Sequence, residues 1–191
     1  MKRLESFLFL NLLLTAVLAP LAYGTVEEWS VALFELNALL CGGLLAVRLT
    51  VEPNRDWRHW RLAAPLLAFV LLGAVQLLPL RSATPASDVW QAAQAWRTLS
   101  FDAQATRETV VKLVALLLYF LTAMHVLRES SRRRVLVITL TVLGAATALF
   151  AIIQKLTWNG KFYWLRPASP YVAPFGPFAN YNHFAGMMEL L

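Results

Sequence analysis

The residues best suited to binding or chemistry lie near the C-terminal end of the 191-residue sequence. Arg166 carries a permanent charge and can bind a phosphate group through two parallel hydrogen bonds. Asn180, Asn182 and His183 follow it, and eight aromatic residues accompany them between residues 156 and 182. Flat ring faces beside these polar groups suit an amphipathic ligand that bears sugars or phosphate. For His183 a second interpretation is equally open, in which the Asn-His pair caps a helix and hydrogen-bonds to a neighbouring helix.

Motifs of soluble enzymes are missing from the sequence. There is no Gly-rich phosphate loop ending in Lys-Ser/Thr, no His-Glu-x-x-His helix and no nucleophile elbow. His59, His125 and His183 share no ligand spacing, so we expect no metal site, and we expect no cofactor. The one cysteine, Cys41, excludes an intramolecular disulfide and a cysteine-cluster zinc site.

The composition predicts an integral membrane protein and excludes an ordinary soluble enzyme. Hydrophobic residues make up 59% of the chain and charged residues 15%, whereas soluble domains carry about 45–50% and about 25%. The excess is collected in blocks with few charges, each about long enough to cross a hydrocarbon core ~30 Å thick. Backbone amides find no water in lipid, so such blocks must form helices. We predict an all-α, polytopic transmembrane helical bundle with spans at about residues 7–23, 31–47, 62–80, 110–127 and 135–156, and the start of a sixth span from residue 183.

The positions of the basic residues predict the orientation in the membrane. The formal net charge of +6 could indicate a nucleic-acid partner, but ten of the 17 basic residues lie at the N-terminus and in two short loops, near residues 48–61 and 128–134. Basic residues in short loops mark the cytoplasmic side of a membrane. We therefore expect a multi-pass protein with a cytoplasmic N-terminus, with the lipid bilayer and not nucleic acid as its partner.

The two ends of the sequence raise two questions: whether the N-terminal segment is cleaved, and whether the protein continues beyond residue 191. MKR, an apolar run and AYG also fit a signal peptide, so cleavage within residues 1–24 stays an alternative. At the other end, the eight residues after His183 give about 12 Å of helix, which is under half a span. We expect residues 1–191 to be the N-terminal transmembrane part of a longer protein.

Two of the outward-facing loops are long enough to hold structure. A short amphipathic helix is expected from Ser87 to Leu99, lying either on the membrane surface or over a substrate cleft. In the loop at residues 157–182, Asn159-Gly160 predicts a type I′ hairpin turn between two aromatic stretches. A stiff, extended path after this turn is favoured by four prolines, Pro167, Pro170, Pro174 and Pro177.

Polar residues inside the apolar blocks are candidates for function by default. Glu35 is read either as such a group or as a carboxylate that reaches the headgroups. Asn11 and Asn37 are expected to pair between helices. His125 is expected at an interface beside the cytoplasmic arginines, and Gln154 ends the fifth block without a catalytic signature.

The stretch FGPFANYNHFAGMMEL, residues 175–190, resembles the O-antigen ligase and polymerase family of bacterial membrane proteins. Many members carry a phrase G-x-F-x-N-x-N-H-F-A-G where a transmembrane helix opens after an outward loop. APLAYGTVEEWS at residues 19–30 is similar to the family's first outward turn, and FYWLRP at residues 162–167 is similar to the run before the phrase. Tyr181 stands where relatives often have Arg, which removes a cation suited to phosphate. The matching positions are Gly176, Phe178, Asn180, Asn182, His183, Phe184, Ala185 and Gly186.

The resemblance implies a membrane glycosyltransferase with a GT-C-like fold at the outer face of the bacterial inner membrane. Such a protein passes a glycan from undecaprenyl diphosphate to a glycolipid, a polysaccharide or a pilin. The acceptor hydroxyl attacks the anomeric carbon as the diphosphate leaves, which needs a base and cations but, by the resemblance, no metal. The family's catalytic residues belong to a later loop, so they are expected beyond residue 191, and the chain alone is expected to be inactive. The resemblance makes Arg166, Asn180, Asn182 and His183 candidates for shaping the donor cleft.

Two alternatives from other functional classes remain. A transporter or permease fragment would use Glu35 and the proline-bearing third block to line a pathway, and would show internal repeats. No clear repeat is present in the sequence. A membrane scaffold module would carry no chemistry, and it would not need so aromatic a loop.

The predicted topology can be tested by labelling in cells. In a chain whose Cys41 is replaced by alanine, a cysteine in place of Tyr171 should react with a membrane-impermeant thiol reagent added outside. A cysteine in place of Ser131 should react only after the membrane is permeabilised. If the position of Tyr171 reacted only from the cytosol, the predicted orientation would be wrong.

Overall fold

The computed structural model describes residues 2–25, 27–51, 60–80, 98–168 and 174–191. The described residues are predominantly helical, which confirms the predicted all-α class. The helix expected from Ser87 lies outside the described residues, as do His59 and Tyr171. Short 3-10 turns lie at Tyr23–Thr25 and Trp60–Ala63, and an antiparallel hairpin pairs β1 (Lys161–Phe162) with β2 (Arg166–Pro167). The helices are α1 (Lys2–Leu21), α2 (Glu28–Val51), α3 (Ala64–Gln76), α4 (Ala103–Val126), α5 (Ser130–Leu156) and α6 (Tyr181–Leu190).

Four of the described helices are long and apolar enough to cross a membrane, namely α1, α2, α4 and α5. They correspond to the predicted first, second, fourth and fifth spans, and they indicate a membrane-embedded protein. Helix α4 starts at Ala103, earlier than the apolar block at residue 110, because the Asp102 carboxylate accepts a hydrogen bond from the N–H of Ala105 at 3.0 Å. The helix therefore extends beyond its apolar part through charged turns.

The third predicted span, residues 62–80, is shorter in the structure. The apolar helical segment runs from Arg61 to Gln76, and the chain leaves helical geometry after Leu77. Pro79 accounts for this end because it disfavours helical backbone at Leu78 and lacks an N–H donor. A segment of this length reaches about 24 Å, less than a hydrocarbon core of ~30 Å.

The chain divides into two compact units, one of residues 1–37 and 122–191 and the other of residues 38–121. In the second unit, a Cβ added at Gly42 of α2 would lie 2.7 Å from the Leu118 side chain of α4. A Cβ added at Gly73 of α3 would lie 2.5 Å from Val110 of the same helix α4. Both glycines therefore permit close helix approaches that a larger residue would block.

In the first unit, the two asparagines of the apolar blocks join α1 to α2. The Asn11 amide donates to Asn37 Oδ1 at 2.8 Å, and the Asn37 amide donates back to Asn11 Oδ1 at 3.1 Å and to Thr15 Oγ1 at 2.9 Å. This arrangement, the Asn11–Asn37 clasp, confirms the predicted pairing between helices. Reciprocal bonding matters here because hydrocarbon offers an amide no other partner.

A buried charged cluster joins three helix ends in the same unit. Glu5 of α1 is 8% exposed, and its carboxylate lies 3.7 Å from His125 Nε2 and 3.9 Å from the Arg132 guanidinium. Arg132 also pairs with Glu129 at 3.2 Å and lies over the Phe9 ring. His125 is thus an interface residue, as predicted.

The Asn11–Asn37 clasp predicts a non-additive pair of substitutions. Asn37→Leu should lower the free energy of unfolding by about 1–3 kcal/mol, because it deprives Asn11 of its amide partner. The double variant Asn11→Leu/Asn37→Leu should lose less free energy of unfolding than the sum of the losses in the two single variants. In the double variant, neither amide remains in the apolar surroundings without the other. Leu36→Ala, on an exposed part of α2, is the control. Strict additivity in a thermal or chemical unfolding series would contradict the clasp.

Candidate functional site

The segment between α5 and α6 folds back onto the end of α1 and forms a cluster of aromatic rings. Tyr163 stacks on Phe150 with centroids 5.1 Å apart, and Tyr23 meets the edges of Tyr163 and Phe162 at 5.5 and 5.9 Å. Trp158 and Trp164 complete it with edge contacts to Phe162 and Phe150. Through these contacts, the four rings of the loop pack against one another, against Phe150 of α5 and against Tyr23 after α1. We call this set the aromatic cluster: Tyr23, Phe150, Trp158, Phe162, Tyr163 and Trp164.

The hairpin in this loop turns at a different place from the one predicted. Its tight turn is at Tyr163-Trp164, where φ is +50° and +60° and the N–H of Leu165 donates to the Phe162 carbonyl at 2.9 Å. Asn159-Gly160, the predicted hairpin turn, instead leads into β1: the Asn159 side chain accepts from the N–H of Lys161 at 3.1 Å. The prediction was wrong because local turn propensity favoured Asn-Gly, whereas tertiary contacts hold the two aromatic residues in the left-handed region.

Specific contacts offset the strain of this turn, since a left-handed backbone costs about 1–2 kcal/mol for each non-glycine residue. The Tyr163 hydroxyl donates a short hydrogen bond to the Leu21 carbonyl at the end of α1. The Trp164 indole N–H donates to the Thr157 carbonyl and hydroxyl oxygens at 3.2 and 3.0 Å. Burial, with a smaller contribution from Tyr23, raises the pKa of Tyr163 to about 12.

Gln154 links the two halves of the loop to α5. Its side chain is fully buried near the end of that helix. Oriented to satisfy both contacts, the amide donates to the Gly176 carbonyl at 2.8 Å and accepts from the N–H of Tyr163 at 2.7 Å. One buried side chain therefore satisfies the strained turn and the segment that leads into α6.

Two glycines let the remaining backbone pack closely. At Gly24, with φ +69°, an added Cβ would lie 2.4 Å from the Phe178 ring. At Gly176, with φ +57°, it would lie 3.0 Å from Ala151 Cβ and 3.2 Å from the Phe184 ring. Both positions thus require glycine for conformation and for space. The turn after α1 and the segment before α6 meet at the Gly24–Phe178 contact.

Arg166 lies beside this cluster and has an acidic partner. Its guanidinium is 2.9 Å from the Glu27 carboxylate and 5.3 Å from the centre of the Tyr23 ring. The Arg166 side chain is 49% exposed and that of Glu27 35%, so the pair is open to solvent. Exposed pairs are worth about 0–1 kcal/mol, which makes Glu27 a partner that a more highly charged anion could displace.

The other three candidate residues open α6. Asn180 is its N-cap, and its side-chain oxygen accepts from the N–H of Asn182 at 2.8 Å. Asn182 and His183 are exposed on the first turn. Within the described residues, no hydrogen bond or ion pair joins Arg166 to Asn180, Asn182 or His183. The capping interpretation therefore holds for Asn180, and the exposed Asn182 and His183 are the polar groups that a ligand could reach.

The contacts of the residues that hold the site together were not predicted from the sequence. A partner for Gln154 could have been predicted, because a polar residue at the end of an apolar helix needs a hydrogen-bond partner. Glu27 and Tyr23 gave no comparable signal, since their partners are far along the chain. In the described part of the chain, no group of three or more His, Cys, Asp or Glu residues is arranged to hold a metal.

Gln154 can be tested by substitution. Gln154→Leu should leave the Tyr163 N–H and the Gly176 carbonyl without their amide partner, destabilising the loop by about 1–3 kcal/mol. Amide hydrogen exchange at residues 160–178 should then rise while exchange in α1 and α5 stays low. Ile153→Leu, at the exposed neighbouring position, is the control. Unchanged protection in Gln154→Leu would mean that the amide does not brace the loop.

We compared the chain with known protein families, curated proteins and solved structures. No family model, curated protein or solved structure matches it. What the site offers chemically is a braced aromatic loop, an exposed Arg166–Glu27 pair and an exposed Asn182-His183 pair at a helix start.

Proposed function

We propose that the chain is part of a membrane glycan transferase of the O-antigen ligase type. The donor is a glycan on undecaprenyl diphosphate, and the acceptor is a glycolipid or polysaccharide. The site faces the outer side of a bacterial inner membrane, with the N-terminus in the cytoplasm and a GT-C-like fold in the complete protein. The residue pattern at Gly176–Gly186 is the origin of this proposal.

The Gly24–Phe178 contact is the observation that supports the proposal best. The first resembling segment, residues 19–30, and the last, residues 175–190, are far apart in the sequence. They pack against each other so closely that no side chain fits at Gly24. The third, residues 162–167, contacts the first through the Tyr23–Tyr163 ring pair. Three segments chosen for their likeness to one family thus form one structural unit, which chance likeness would not require.

The proposed roles follow from exposure and charge. Arg166 would meet an oxygen of the donor diphosphate once Glu27 is displaced, because a diphosphate carries more charge than one carboxylate. Asn182 and His183 would hydrogen-bond the glycan or the acceptor. In the reaction, a base takes the acceptor hydroxyl proton, the oxygen bonds to the anomeric carbon, and the bond to diphosphate breaks. We assign the base to none of the described residues, so these are substrate-positioning groups.

A scaffold module without chemistry is the second candidate, and one observation favours it. The rings of the aromatic cluster contact each other and Arg166 contacts Glu27, so contacts within the chain already engage these side chains of the described part of the loop. The transporter alternative has less support, because Glu35 is only one partly exposed carboxylate on a continuous helix α2.

The proposal is tested with substitutions in the native gene. His183→Ala and Arg166→Ala should each lower glycan transfer roughly 10-fold, the effect of losing about 1.4 kcal/mol of substrate interaction. Undecaprenyl diphosphate-linked glycan should accumulate in parallel. Lys161→Ala, an exposed cation on the same hairpin, is the control.

The outcomes separate the candidate functions. Normal transfer in a gene deletion strain would refute the transferase. Lost transfer in the deletion, with normal transfer in the single variants at normal protein levels, would contradict the substrate-positioning roles of Arg166 and His183.

A further inference from the structure

A groove of about 560 Å³ runs between α1 and α2, and it is not part of the site described above. All its lining residues belong to the unit of residues 1–37 and 122–191. The surface of its walls is largely apolar, with Leu14, Leu18 and Leu33 each more than half exposed. In a membrane-embedded chain, such a surface must be covered by something apolar.

The ends of the groove define its length. One end lies at the Asn11–Asn37 clasp, and the other lies where the helices are joined, near Thr25 and Trp29. From Asn11 to Leu21 the helix α1 rises by about 15 Å. One leaflet of a hydrocarbon core ~30 Å thick is about 15 Å deep. The groove therefore has the depth of one leaflet, with an indole at one end and paired amides at the other.

The position of the clasp favours a lipid chain over a helix in this groove. A helix about 10–12 Å across that ran along the groove would have to pass over the paired amides, whereas a flexible chain can stop short of them. Because the Asn11 and Asn37 amides bond to each other, they present no strong demand for a polar ligand. A hydrocarbon chain can end there.

The residues at the Trp29 end of the groove indicate which type of lipid headgroup would bind there. Trp29 is 52% exposed, as expected for a residue at the headgroup level. Of the two carboxylates that precede it, Glu27 pairs with Arg166, and the exposed Glu28 has no ion pair within the described residues. The local excess of negative charge favours a cationic group and disfavours a purely anionic lipid.

We propose that the α1–α2 groove binds one acyl chain of a phospholipid whose headgroup carries an ammonium group. The chain lies between the leucines and ends at the clasp, and the ammonium group lies near Glu28 and Trp29. This site is independent of glycan transfer. It would also hold if the proposed function failed.

Native mass spectrometry of the full chain tests this site. The protein is reconstituted with equal amounts of phosphatidylethanolamine and phosphatidylglycerol, extracted into detergent, and analysed for retained lipid. The wild-type chain should retain one phosphatidylethanolamine. Leu18→Trp and Leu33→Trp, which fill the groove, should each reduce retention at least 5-fold.

Matched controls come from the same helices. Leu10→Trp and Leu36→Trp lie at exposed positions, 55% and 64%, that do not line the groove, so they should retain lipid like wild type. Equal retention in all four variants, or equal loss, would overturn the site. A preference for phosphatidylglycerol would overturn the headgroup assignment. A lipid-free dimer that the groove-filling variants dissociate would assign the groove to a second copy and overturn the proposal.

Discussion

Hydrocarbon offers no hydrogen-bond partner, and this constraint decides where the polar side chains of the chain must go. Each unsatisfied polar group in lipid costs several kcal/mol. Asn11 and Asn37 meet the constraint by bonding to each other across two helices. Gln154 meets it by bonding to two backbone groups of a loop. Glu5 meets it beside His125 and Arg132. In each case a polar residue in an apolar helix becomes the point at which another segment is attached.

The loop between α5 and α6 shows what such attachment achieves. Its turn at Tyr163-Trp164 is strained, yet the Gln154 amide, the Leu21 carbonyl and the Phe150 ring all hold Tyr163 in place. These contacts hold the described part of the loop in one shape. A segment that is already ordered loses less conformational entropy when a ligand binds.

Several features were accessible from the sequence because they depend on local pattern. Apolar blocks gave four of the helices, with ends shifted where Asp102 extends α4 and Pro79 shortens the third block. Asn180 could be read as a helix cap from its place before an apolar run. The Asn159-Gly160 turn failed because turn propensity is weak beside the tertiary contacts of Tyr163. Glu27 could not be predicted as the partner of Arg166, because the two residues are far apart in the sequence and no local pattern around either one indicates the pairing.

The sequence by itself therefore determined the helical class and the apolar segments suited to a membrane, because these follow from short-range periodicity. Only the tertiary structure decided which rings stack, which carboxylate Arg166 meets and why Gly24 is glycine. Tyr163 and the Leu21 carbonyl that it contacts are 142 residues apart. Pairings at that distance depend on how helices pack, and no local pattern encodes them.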